Sequence, residues 1–139
     1  MLFRSVAAAL ALGAQGAQLG TAFIPCPESG APEVHKRAIL AASEDDTRVT
    51  EKFSGKPARG LANRFLRDAA AFPQIAFPAQ NALTAPLRQA SAKAGSGDFY
   101  ALWAGQAAPL ARALPAAELV DTLERETVSA LQRASALLN

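Results

Sequence analysis

The strongest constraint on this chain lies near its start, where one strand-like segment has no partner. Ser5 reads as the cap of a helix running to about Leu12, Gly13 stops that helix, and Ala17-Gln18-Leu19 begins a strand. Almost everything after it carries helix or turn signals. A buried strand cannot satisfy its backbone N–H and C=O groups without neighbours. The opening segment therefore reads as the last piece of a sheet whose other strands are missing from the sequence.

The 139 residues suffice for one domain with a modest core. Half of them are hydrophobic and 19% are charged, which is too apolar for a disordered chain. Much of the apolar share is alanine, so helices are expected to pack closely but weakly. The formal net charge is only +2 and the basic residues are scattered, which leaves no nucleic-acid footprint. Cys26 is the single cysteine; it permits no intrachain disulfide and fits a reducing compartment, so a cytoplasmic location is expected. No apolar run reaches the roughly eighteen residues of a membrane span. Arg4, the stretch Val6 to Leu12 and Ala14-Gln15-Gly16-Ala17 imitate a short secretory signal, a rival reading as an exported helical protein or interaction module. Gly13 ends that apolar stretch early, which favours the structural reading.

Pro25, Pro27, Gly30 and Pro32 mark a loop, and Pro32 with Glu33 opens a helix to about Ala42. Thr47 to Phe53 reads as a short exposed strand, and Ala58-Arg59 is placed to return beside it after the Ser54-Gly55-Lys56-Pro57 turn. Helices are expected over Leu61–Ala71 and over Gln80–Ala94, the second broken or kinked at Pro86. Asp98 reads as the cap of a further helix from Phe99 to about Ala113, bent at Pro109. Pro115 opens the last helix, with Leu119, Val120, Leu123, Thr127, Leu131 and Leu138 recurring at helical spacing.

Several segments, taken in order, carry a resemblance. Arg4 to Ala14 with Gln18-Leu19-Gly20-Thr21-Ala22-Phe23 comes first, then Cys26-Pro27-Glu28-Ser29 with His35-Lys36. Phe53-Ser54-Gly55-Lys56-Pro57-Ala58-Arg59-Gly60 with Asn63 follows, then Phe77-Pro78, Gln80 to Thr84 and Pro86-Leu87-Arg88, and finally Leu102-Trp103-Ala104-Gly105-Gln106. Together they resemble the nitronate monooxygenase (2-nitropropane dioxygenase) family from Arg4 to about Leu123, including its F-[ST]-G-[RK]-P-A-R-G and W-A-G-Q stretches. The fold class this implies is α/β: the last helix and strand of a TIM-type (β/α)8 barrel in residues 1–43, then a mostly helical second domain in 44–139. A closed barrel takes roughly 200 residues or more, so the expectation is a C-terminal fragment. Met1-Leu2-Phe3 stand where the family's Gly-Gly-Ile-x-x-G turn should end, and the family's catalytic histidine has no counterpart.

The resemblance implies FMN as cofactor, held at the barrel mouth where strand ends and helix N-termini favour a phosphate. Gln18, Leu19, Gly20 and Thr21 form the matching strand end. Gly20 would let the backbone approach and Thr21 would add a hydroxyl. Trp103 and Gln106 are candidates for the pocket over the flavin, with burial in a helical lid as the competing role for Trp103. The implied reaction oxidises an alkyl nitronate by single-electron transfer to the flavin, with O2 completing conversion to a carbonyl compound and nitrite. Flavin-dependent enoyl-ACP reductases and NAD(P)H:quinone reductases of the same barrel family are the alternatives. The isolated chain is expected to be inactive and to bind FMN weakly or not at all. His35, beside Lys36 and Arg37, reads as a solvated structural residue, and Cys26 as inert. No catalytic residue and no metal ligand is assigned.

Overall fold

The computed structural model describes residues 2–137; Met1, Leu138 and Asn139 lie outside the described residues. Helix α1 spans Leu2–Ala11 and ends at Gly13, whose φ of +94° is the left-handed conformation that glycine adopts without strain. Ser5 lies inside this helix rather than capping it. Residues 17–19 form no strand among the described residues, because no neighbouring strand is there to accept their backbone groups. The chain passes instead into a single 3-10 turn, Thr21–Phe23. Helix α2 covers Glu33–Leu40 with Pro32 as its N-cap.

Strands β1 (Thr47–Thr50) and β2 (Ala58–Leu61) pair antiparallel, with Thr47 opposite Leu61 and Thr50 opposite Ala58. Leu61 thus belongs to a strand, and the helix expected from it starts later, as α3 at Arg64–Asp68. Asn63 caps α3 by accepting the Leu66 N–H. The two motif glycines explain the turn and the pairing. Gly55 has φ +82°, and a Cβ there would meet the Phe77 nitrogen at 2.5 Å and the Ile75 oxygen at 2.8 Å. A Cβ on Gly60 would meet the Leu102 carbonyl oxygen at 2.8 Å.

That close approach accounts for the largest departure from the sequence reading. Residues 99–113 are not a bent helix; they are extended or turning, with one 3-10 turn at Ala108–Leu110 around Pro109. The Leu61 N–H donates to the Leu102 carbonyl at 2.8 Å, and the Ala104 N–H to the Arg59 carbonyl at 3.0 Å. The Asn63 amide donates to the carbonyls of Gly97 and Tyr100, both at 2.8 Å. The segment's backbone groups are spent on β2 and Asn63, so helical propensity loses to tertiary pairing. Asp98 consequently caps no helix.

Helix α4 runs unbroken over Ala79–Lys93 through Pro86. Its polar motif residues fasten it to the loop before β2. Gln80 donates to the Lys52 carbonyl at 2.6 Å, and Thr84 to the Phe53 carbonyl at 2.5 Å. Arg88 reaches back to the Asn81 side chain at 2.8 Å. Helix α5, Ala116–Ser135, begins after Pro115 as expected and packs along α1. Its buried stripe is Leu119, Thr122, Leu123 and Thr127, whereas Val120 is 49% exposed.

Two core clusters form among the described residues, and each joins segments distant in sequence. Ile39 packs with Leu61, Leu102, Ala104 and Ala108. Ala22 and Cys26 pack with Leu119 and Leu123. Glu28 joins the second group by accepting the Ala116 N–H on both carboxylate oxygens at 3.1 Å, which caps α5 from a distant loop.

Candidate functional site

The residues singled out at the expected strand end line one side of a cleft of about 260 Å³. Gln18 and Gly20 are exposed, and Leu19 and Thr21 are half-buried. Ser5 of α1 and the backbone at Gly105 and Ala107 complete its walls. Nothing lies within 4 Å of the position a Gly20 Cβ would take, so the protein itself does not require glycine there. The open space instead faces the cleft. Thr21 is fixed across the site: its Oγ1 accepts the Gly105 N–H at 2.9 Å. The hydroxyl still holds its own proton and can donate it to an anion. No lysine or arginine lines the cleft, so an anion there would rely on hydroxyl and backbone dipoles. The volume is below the roughly 300–1,000 Å³ of complete ligand sites, which makes this a partial cradle.

Trp103 and Gln106 stand apart from this cleft. The Trp103 ring packs edge-on against Phe53 at 5.4 Å between centroids, and its backbone bridges to Gly60. Gln106 is exposed and lines a separate hollow with Glu44, Asp45 and Pro109. Between them lies Gly105, which does reach the cleft. Its role was invisible in the sequence, because the hydrogen bond to Thr21 joins residues from opposite ends of the chain.

His35 is buried rather than solvated, at 7% exposure. With Ile39 one turn later it forms the inner face of α2, while Lys36 turns away to donate to the Cys26 carbonyl at 2.8 Å. The His35 Nε2–H donates to the Trp103 carbonyl at 3.0 Å, which fixes the tautomer, and the ring meets Tyr100 edge-on. Burial pushes its pKa below the ordinary histidine value, partly offset by the Trp103 carbonyl. Cys26 is buried, and desolvation, reinforced by Glu28, raises its thiol pKa, so it carries little thiolate.

Comparison with known proteins bears on this arrangement. The family model described as nitronate monooxygenase matches residues 1–126. The chain belongs to the nitronate monooxygenase family. A nitronate monooxygenase of Paraburkholderia phytofirmans is 47% identical over 136 residues, covering 92% of this chain and 36% of that protein. Among solved structures, a nitroalkane oxidase from Streptomyces ansochromogenes superposes with a TM-score of 0.88 at 48% identity, covering 95% of this chain and 38% of that one. FabK from Thermotoga maritima gives a TM-score of 0.78 at 29% identity, covering 96% and 43%. The chain spans about a third of the length of the curated relatives it matches. The nitronate monooxygenase family consists of flavin-dependent oxidoreductases, and the described residues hold no helix long and apolar enough to cross a membrane.

Proposed function

We propose that this chain supplies one wall of the FMN site of a nitronate monooxygenase that converts alkyl nitronates and O2 to carbonyl compounds and nitrite. The observation that carries the reading is the cleft at Gly20 and Thr21, where open space beside a glycine meets a half-buried hydroxyl. The residues present fit the phosphate end of the cofactor. Gly20 admits a phosphate oxygen close to the backbone, and Thr21 donates its hydroxyl proton to it. Gln18 and Leu19 flank the same wall. The flavin, when bound, supplies the redox chemistry, while the protein contributes binding, orientation and exclusion of water.

In this reading residues 1–43 belong to the flavin-binding barrel and 44–139 to the helical domain that carries Trp103 and Gln106 to the substrate side. The likeness to FabK keeps a reductase of the same barrel family as the second reading, and a substrate screen on a complete flavoprotein separates the two. The direct test is titration of the purified chain with FMN, followed by flavin fluorescence, together with an assay for nitrite release from an alkyl nitronate. Saturable binding weaker than micromolar with no turnover is expected of a partial cradle. An absence of binding at millimolar FMN refutes the flavin wall. Micromolar binding with nitronate turnover refutes the one-wall reading.

A further inference from the structure

Thr21 has two hydrogen-bonding directions, and among the described residues only one is used. Its oxygen accepts the Gly105 N–H, and its own proton is free for the cleft. Gly105 sits at the edge of a segment otherwise held from the far side. The Leu102 carbonyl and Ala104 N–H pair with β2, and the Trp103 carbonyl accepts from His35. The bond to Thr21 is thus a polar contact that ties the turn before Gln106 to the phosphate wall, beside the packing of Ile24 on the Ala104–Ala108 cluster.

We infer that Thr21 is a positioning residue that couples anion binding to the Trp103–Gln106 turn: a phosphate accepting the Thr21 proton strengthens the Gly105 N–H bond and draws the turn onto the cleft. The physical reason is cooperativity along a hydrogen-bonded chain, since a hydroxyl that donates becomes a better acceptor. Reciprocity follows: the factor by which a bound phosphate strengthens the Gly105 bond is the factor by which that bond strengthens phosphate binding. The inference rests on the flavin-wall reading above and extends it to a second segment.

Amide exchange at Gly105, resolved by NMR on the full chain, reads this without any activity measurement. FMN and, separately, inorganic phosphate are added at millimolar concentration. Slower Gly105 exchange with either probe is expected in the parent chain and in Thr21→Ser, which keeps the hydroxyl. Thr21→Val should exchange Gly105 about fivefold faster, the factor of one typical net hydrogen bond, and bind FMN more weakly. Gly105→Pro, which deletes the donor, should also weaken FMN. If FMN shifts the amides of residues 20–22 while Gly105 exchange stays constant, the coupling is wrong and the wall survives. If neither probe shifts any of those amides, the wall reading fails and the coupling falls with it.

Discussion

Gly55→Ala tests how the turn before β2 is built, because two separate penalties converge on one methyl group. The first is conformational: φ at Gly55 is +82°, a region that costs an L-residue about 1–2 kcal/mol. The second is steric. The added Cβ would lie 2.5 Å from the Phe77 nitrogen and 2.8 Å from the Ile75 oxygen, both backbone atoms that cannot rotate away. Overpacking of that kind costs about 1–3 kcal/mol, so the total is roughly 2–5 kcal/mol. Gly95→Ala separates the two penalties, since Gly95 also has positive φ, +65°, but nothing within 4 Å of its Cβ position. It should show the conformational penalty alone, about 1–2 kcal/mol. Urea unfolding followed by far-UV circular dichroism, with unchanged m-values, gives both numbers on one scale. The steric reasoning is refuted if the two variants unfold at the same midpoint.

The remaining predictions concern buried polar groups. The folded-state pKa of His35 is depressed by burial, so the unfolded chain binds the proton first. Stability should be full above an unfolded pKa of about 6.5 and fall as the pH drops toward and through the folded value, by at most about 1.4 kcal/mol per pH unit. His35→Gln should flatten that dependence in urea titrations at stepped pH, and an unchanged slope would contradict the assignment. The Thr127 hydroxyl is buried on α5 without a partner among the described residues. Thr127→Val should therefore be neutral or stabilising by about 1 kcal/mol in thermal unfolding, whereas a loss of that size would mean the hydroxyl has a partner.

The parts of the fold that were legible in the sequence are those governed by local chemistry. Gly13 marks a helix end, Pro32 with Glu33 and Pro115 mark helix starts, and the Leu119, Leu123, Thr127 spacing marks the inner face of α5. What was illegible depends on partners far away along the chain. Residues 99–113 carry helical composition, yet Gly60 lets their backbone approach β2 and Asn63 binds the Tyr100 carbonyl together with that of Gly97 just before them. His35 is followed by two exposed-looking cations, Lys36 and Arg37, and its partner, the Trp103 carbonyl, is far away along the chain. At the candidate site, Gln18 to Thr21 were reached through family resemblance rather than spacing. Gly105 carries no local signal of its role, because its partner Thr21 becomes a neighbour only on folding.

The pairing of α1 with α5 and the reach of Glu28 to the α5 start join segments that are far apart in the order of synthesis. During synthesis the apolar side of α1 must wait for α5, roughly ten seconds at ribosomal speeds of about 5–20 residues per second. No local contact can shorten that interval, since the partner surface does not yet exist. Burial of α1 is therefore timed by the arrival of α5, and in that interval α1 is a natural place for a chaperone to bind.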